Sequence, residues 1–422
     1  MDKSLYRAYA DILKEELLPA MGCTEPIAVA YAAALARHAL GTLPERVEIA
    51  VSGNILKNVK SVIVPNTGGL KGVGAAAAAG IVTEKHEKKL EALVGITDDE
   101  RKKIRAFLDA TPIKVTQSDS GCVFDIQIRL YAGSHSSFAR IEGHHTNVVA
   151  LEKDGKATFT GELAKENELT NRDLLNIQSI VEFASSVRLS DIEELIGRQI
   201  DYNTAIAKEG LKNDYGARVG KILLSAFGDD VHNRAKATAA AGSDARMNGC
   251  ALPVVIVSGS GNQGMCACLP VVVYAEELKK SREELIRAVA LSDLVTIHLK
   301  TGIGRLSAYC GAVSAGAGAG AGVAYLMGGN ADAIAHTVVN ALAIDSGVIC
   351  DGAKSSCAAK IATAVDAGLT GMEMQRSGSE FLGGDGILER DIEETIENVG
   401  DLARVGMRET DEEIIRIMLK TS

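Results

Sequence analysis

The chain has no tryptophan, and aromatic residues fill only 4% of its 422 positions. Its core must therefore be built from aliphatic and very small side chains, which lets helices approach closely wherever Gly and Ala gather. An excess of positive charge is also missing. The net charge of −10 excludes a general nucleic-acid binder, which needs a basic face, but leaves room for a local basic pocket. No run of about 18 apolar residues escapes a charge or glycine break, so no membrane span is expected. The opening residues, Met1-Asp2-Lys3-Ser4-Leu5-Tyr6-Arg7, lack the charge-then-apolar layout of a signal peptide. Without such a signal, the eight cysteines read as reduced thiols or metal ligands rather than disulfides, and the expected compartment is the cytoplasm.

What is present is a soluble globular composition, 46% hydrophobic and 24% charged, in a chain long for a single core. Two apolar helices are expected before residue 40: one with Leu5, Tyr9, Ile12, Leu13 and Leu17 on a stripe, and one starting after Thr24 as N-cap. Alternation then marks strands at 47–51, 59–64, 113–115, 123–130, 138–141 and 146–151. After about residue 167 the pattern turns helical up to the C-terminal helix at 410–420. These signals predict an α+β fold, a mixed α/β region followed by a largely helical domain. The expected organisation is 1–40 as N-terminal helices carrying Cys23 and packed on the helical domain, 41–165 as the α+β domain, and 166–422 as the helical domain. The one low-complexity stretch, the Ala-Gly alternation at 315–322, predicts a helix that others approach closely.

The residues that could carry chemistry are mostly cysteines. Cys310, Cys350 and Cys357 each have Gly or Ser neighbours in non-periodic stretches, where backbone can fold round a cluster. Three thiolates can hold three irons of a [4Fe–4S] cluster and leave the fourth open to a substrate. Their dispersion differs from compact ferredoxin spacing, so spacing alone leaves the bland alternative of small buried residues open. That alternative is the reading for Cys122, Cys250, Cys266 and Cys268. Cys23, in Met-Gly-Cys-Thr-Glu-Pro, precedes a helix start, where the macrodipole is expected to lower its pKa.

Gly259-Ser260-Gly261-Asn262-Gln263-Gly264 offers backbone N–H groups and two side-chain amides suited to a carboxylate. It lacks the Gly-Lys-Ser/Thr of a phosphate loop. Its spacing admits a dinucleotide reading, which the absence of an alternating strand–helix series disfavours. Ser52 to Asn58 and Val64 to Gly69 read as polar loops at strand ends. Lys354 and Lys360 raise a pyridoxal phosphate alternative, with no phosphate cup tied to either.

Taken together, several of these segments resemble one family. Met-Gly-Cys-Thr-Glu-Pro, Ser-Gly-Asn-Ile-Leu-Lys-Asn, Gly-Ser-Gly-Asn-Gln-Gly-Met, Ala-Tyr-Cys-Gly-Ala-Val-Ser-Ala-Gly and Gly-Val-Ile-Cys-Asp-Gly-Ala-Lys-Ser-Ser-Cys-Ala are similar to the L-cysteine desulfidases, within the iron–sulfur L-serine dehydratase α-chain-like group. The resemblance implies a β-elimination lyase with a [4Fe–4S] cluster and no pyridoxal phosphate. Its reaction would degrade L-cysteine to pyruvate, ammonia and hydrogen sulfide. L-serine dehydratase and a non-catalytic iron–sulfur sensor are the alternatives. Carried over, Cys310, Cys350 and Cys357 would be metal ligands and Cys23 the catalytic base or an exchangeable ligand. Asn262 and Gln263, with Asn54 or Thr67, would bind the substrate. The Ser-Ser-His-Thr type motif of the serine dehydratases is absent, and Gly22-Cys23-Thr24-Glu25 stands in its role. The expected partner is a small amino acid, with neither nucleic acid nor membrane, and a homodimer is the base-rate assembly.

Overall fold

The computed structural model describes residues 1–162, 169–304 and 307–420. The chain opens with α1 (Lys3–Glu16), β1 (Pro19–Met21), α2 (Thr24–Leu40), β2 (Arg46–Val51), α3 (Gly53–Val59), α4 (Val73–Thr83) and α5 (Asp98–Ala110). Five strands follow: β3 (Ile113–Gln117), β4 (Asp125–Ala132), β5 (His135–Glu142), β6 (Val148–Lys153) and β7 (Lys156–Thr160). The remainder runs α6 (Ile177–Ser186), α7 (Glu193–Lys212), α8 (Val219–Phe227), α9 (Val231–Met247), β8 (Pro253–Val255), α10 (Gly261–Glu277), α11 (Arg282–Ile303), α12 (Gly311–Leu326), α13 (Ala331–Ile344), α14 (Cys357–Arg376), α15 (Ile392–Asp401) and α16 (Arg408–Lys420). The fold class is α+β, as the hydrophobic patterning indicates. Among the described residues no helix is long and apolar enough to cross a membrane.

Six strands form one sheet in the order β3-β2-β4-β5-β6-β7, with β2 and β3 parallel and the other neighbours antiparallel. The alternation of Val47, Ile49 and Val51 with Ile126, Ile128 and Leu130 puts one apolar face against α2 and α4 in a shared core. Small residues decide how closely those helices cross. A Cβ on Gly80 of α4 would lie 1.9 Å from the Ala30 carbonyl oxygen of α2. The expectation that both N-terminal helices pack on the helical part is therefore corrected for α2. Its side chains belong to the sheet core, whereas Tyr9, Ile12 and Leu13 of α1 lie in the helical core.

Two further corrections have local causes. Residues 59–64, expected as a strand, follow a helix instead. Ile55, Leu56 and Val59 recur at helical spacing and are all buried, so the loop expected at 52–58 is largely α3. The polar stretch 158–162, expected as a linker, contains the end of β7, an edge strand exposed along its length. The boundary expected near residue 165 lies outside the described residues.

The helical part is organised round α12, which packs on α10, α11, α13 and α14. Its Ala-Gly alternation lets backbones touch. A Cβ on Gly316 would meet the Ala364 carbonyl oxygen at 2.1 Å, and one on Gly320 would meet that of Gly368 at 2.3 Å. The helix–helix axis between α12 and α14 is therefore set by main chain, with almost no side-chain play. The two-stranded pair β1–β8 then stitches the N-terminal segment to the helical part, Pro19 opposite Val255. That pairing delivers Cys23 to the loop before α10.

Candidate functional site

Four helix starts meet at one junction. Cys23 is the N-cap of α2, Ser260 of α10 and Cys310 of α12, while Cys357 is the first residue of α14. Thr24, expected as the cap of α2, is instead its first helical residue. Arg246, buried near the end of α9, ties two starts together. Its Nε donates to the Gly22 carbonyl at 3.2 Å and its Nη1 to Asn262 Oδ1 at 3.2 Å. Gln263 lies over the third start, where a Cβ on Gly311 would come 2.5 Å from its Nε2. Cys23 closes the ring by packing in one small cluster with Val62, Met247, Ala353 and Cys357. Unpaired N–H groups at helix starts carry partial positive charge, so the junction favours anions.

Cys310 and Cys350 are held side by side by backbone. The Cys310 N–H donates to the Val348 carbonyl at 2.9 Å and the Cys350 N–H to that of Ala308 at 2.6 Å, flanking a bridge between Tyr309 and Ile349. Their thiols hydrogen-bond to each other. That bond, with burial, pushes Cys310 well up. Cys350 goes the other way: the same bond, then the Lys57 charge, the Gly352 N–H and the Lys360 charge hold it well below the usual thiol value against burial. The pair thus gives up a first proton more readily than an ordinary thiol and resists losing the second. Burial raises Cys357, whose Sγ lies 3.7 Å from the Gly352 carbonyl oxygen.

The cations around these thiols were not legible in the sequence. Lys57, on α3, is only 1% exposed at its side chain and pairs with Asp411 of α16 at 2.5 Å. Lys300, on α11, is buried, and burial lowers it to about 8 while its nearness to Cys350 and Cys310 opposes the shift. Lys354 and Lys360 both bind Asp351, Lys360 at 2.6 Å. Those ion pairs commit both lysines that raised the pyridoxal phosphate alternative.

Cys23 behaves opposite to expectation. The helix start was expected to lower its pKa, but burial and the Glu25 carboxylate raise it well above the thiol norm, with Arg246 only partly opposing. Its Sγ–H donates to Glu25 Oε2 at 3.1 Å, which also accepts from Thr24 Oγ1 at 3.1 Å, while Asn58 Nδ2 reaches Oε1 at 3.5 Å. Glu25 had shown itself only as a helix first-turn carboxylate. Among the expected binding residues, Asn262 and Gln263 open α10 at the junction, and the Gln263 Oε1 is buried without a protein partner. Asn54 lies on α3 with Lys57, its Oδ1 equally unpartnered. Thr67 is fully buried and its hydroxyl donates to the Val64 carbonyl at 2.7 Å, closing its own turn. Cys250, Cys266 and Cys268 are buried, whereas Cys122 is half-buried with its thiol 2.8 Å from Glu142 Oε1. The dinucleotide reading has no support in the topology, since β8, before the glycine loop, pairs only with β1.

Residues 87–416, most of the helical part and much of the sheet, match the family described as serine dehydratase alpha chain. The chain belongs to that family. Relatives extend the match over the whole length. A UPF0597 protein of Desulfitobacterium hafniense (strain Y51) is 56% identical over 98% of this chain and 97% of its own. UPF0597 proteins of Lachnoclostridium phytofermentans and Treponema denticola are 49% and 45% identical, covering 98% and 100% of this chain and 100% and 99% of their own. Serine dehydratase alpha chain membership makes a lyase-type enzyme the frame for the junction.

The residues present fit an iron–sulfur cluster. Cys310, Cys350 and Cys357 offer three soft sulfur donors at one junction, one of them already favouring its thiolate, beside buried lysines and helix starts that offset negative charge. Among the described residues no three or more His, Cys, Asp or Glu groups converge as for a single ion. A cluster is reached at separate irons and needs no such convergence.

Proposed function

We propose that this serine dehydratase alpha chain relative is a β-elimination lyase that holds a [4Fe–4S] cluster on Cys310, Cys350 and Cys357 and degrades L-cysteine to pyruvate, ammonia and hydrogen sulfide. The observation that carries the reading is the backbone bridge that sets Cys310 beside Cys350, with Cys357 and Lys57 both against Gly352 two residues on. When bound, the cluster supplies Lewis acidity to the departing β-substituent.

The protein's own groups do the rest. Asn262 and Gln263 orient the polar end of the amino acid with their side-chain amides at the positive end of α10. Cys23 is the base for the α-proton. Because its thiol holds its proton, it acts only after passing that proton along the 3.1 Å contact to Glu25. Burial of Cys23 and Thr24 keeps water from the abstraction. The products of elimination are aminoacrylate and sulfide, and aminoacrylate hydrolyses to pyruvate and ammonia in water. The family description favours the second reading, elimination of water from L-serine with the same residues in the same roles. The cytoplasm and a homodimeric assembly belong to the same proposal.

The test is strictly anaerobic purification with iron and sulfide reconstitution, a visible absorption spectrum, and assays for pyruvate and sulfide from L-cysteine and L-serine. Both products from cysteine are the expected result. Pyruvate from serine alone moves the assignment to the dehydratase. A coloured protein that makes pyruvate from neither is a sensor, and a colourless one removes the cluster.

A further inference from the structure

Helix α3 links the cysteine loops to the C-terminal helix. The backbone and stem of Lys57 press on Gly352, between Cys350 and Cys357: a Cβ on Gly352 would lie 2.1 Å from the Lys57 carbonyl oxygen and 3.3 Å from its Cγ. The ammonium group then meets the Asp411 carboxylate at 2.5 Å. Three residues earlier, on the same helix face, Asn54 has a buried Oδ1 without a protein partner.

The helix that supplies Asp411 is held by few attachments. Ile415 covers Gly53, and Lys60 Nζ donates to the Met418 carbonyl. Ile417 is half exposed, and the turn of π-helix that leads into α16, Leu402–Gly406, leaves Val405 66% exposed. A buried lysine needs an anion, because an unpaired charge in that setting is strongly destabilising. Here the anion comes from α16, a helix with no buried side chain among its described residues.

We propose that Lys57 is the cation that receives the α-carboxylate of the amino-acid substrate, with Asn54 Oδ1 accepting from its ammonium group, and that Asp411 holds the carboxylate position until substrate arrives. The assignment rests on the lyase reading above. An amino acid presents one carboxylate and one ammonium, and α3 offers one cation and one unused acceptor on a single face. Asn262 and Gln263 are neutral, and the Arg246 guanidinium beside them is engaged by the Gly22 carbonyl and Asn262 Oδ1. They therefore orient the ligand and leave its carboxylate charge to another cation. Lys57 meets it. The affinity observed for substrate is then the intrinsic affinity reduced by the fraction of molecules in which α16 has released Lys57.

The experiment uses the reconstituted full-length protein with L-cysteine and L-serine, in wild type, Lys57→Met, Lys57→Arg, Asp411→Asn and the Lys57→Met/Asp411→Asn double variant. KM and kcat are read together with iron content and with hydrogen exchange of residues 408–420, with and without L-serine. Lys57→Met is expected to raise KM roughly ten- to hundredfold, the range of one charge-assisted hydrogen bond, with most iron kept because Lys300 and Lys360 still face the cysteines. Lys57→Arg recovers part of that loss. Asp411→Asn lowers KM and speeds exchange in α16, and its effect on KM vanishes in the double variant. L-serine speeds exchange in α16 of the wild type. If Lys57→Met fails to fold, Asp411→Asn and the exchange data decide alone.

An unchanged KM in Lys57→Met, with iron lost, overturns the proposal and makes Lys57 a counter-ion of the metal site. So does a KM that rises in Asp411→Asn, or an α16 indifferent to L-serine. A wild type that makes no pyruvate but releases α16 on binding L-serine keeps the receptor and removes the lyase reading. A wild type that does neither overturns both.

Discussion

The two sides of the junction use the same residue type in opposite electrostatic settings. On the C-terminal side, Cys350 faces Lys57 and Lys360 and is held toward its thiolate. On the N-terminal side, Cys23 is more deeply buried, faces Glu25 and is held toward its thiol. Burial raises a thiol. Cys350 escapes that rise through its bond to Cys310 and then the lysine charges, whereas at Cys23 the Glu25 carboxylate adds to burial. A thiol that gives up its proton suits metal ligation. One that keeps its proton beside an acceptor suits proton transfer. By this contrast Cys350 suits the proposed metal site and Cys23 the proposed proton transfer.

The largest test of that division is removal of each thiol. Cys310→Ala is expected to lose iron and turnover together, with pyruvate formation below detection. Cys23→Ala is expected to keep most of its iron and lose about 10²–10⁴ in kcat. Equal iron loss in both would make Cys23 a fourth ligand and end the comparison.

The next test breaks the C-terminal side through its scaffold. In Gly320→Val the new side chain has no room at the α12–α14 crossing, where even a Cβ would lie 2.3 Å from the Gly368 carbonyl oxygen. Overpacking should cost about 3 kcal/mol in chemical denaturation and lower iron retention, since these helices carry Cys310 and Cys357. Retained stability would mean that the helices can separate without penalty.

Glu25→Gln sharpens the other side. Removing the carboxylate charge should lower the Cys23 pKa and so raise the rate at which it is alkylated at pH 8. Mass spectrometry after iodoacetamide pulses reads this directly, and an unchanged rate would leave burial as the whole cause.

Asp244 gives the smallest effect and supplies burial with no counter-charge. Its Oδ2 accepts from the Gly220 N–H at 3.0 Å, yet burial raises it from 3.8 to about 6. The folded state therefore holds a proton that the unfolded chain has released. The contribution is fully present below about pH 3.8 and is lost as pH rises through 6. Asp244→Asn should flatten that slope in thermal melts between pH 4 and 7, by less than about 1 kcal/mol after solvent screening. A wild-type slope of opposite sign would refute the burial argument.

Legibility followed the range of the interaction. Strand alternation exposed β2, β4, β5 and β6, because each strand reports its own buried face. The Ala-Gly run disclosed a closely approached helix, although its partner contacts on α14 have no local signature. At the site, Cys310, Cys350 and Cys357 stood out by their neighbours, and Asn262 and Gln263 by their glycine loop. Lys57 did not, because a lysine on a short helix becomes a buried cation only when Asp411, far along the chain, closes over it. Arg246 and Lys300 were hidden for the same reason. The error about Cys23 came from weighing the helix start without the burial and the carboxylate that only the folded chain supplies.

The stitch between β1 and β8 also has a consequence for the order of events during synthesis. Pro19 must wait for Val255, more than two hundred residues downstream, before it has a partner. At 5–20 residues per second that wait is roughly 10–50 s on the ribosome. Cys310, Cys350 and Cys357 emerge later still. The N-terminal strand is thus translated long before anything it serves exists, and in the proposed lyase a cluster has no complete ligand set until Cys357 has emerged.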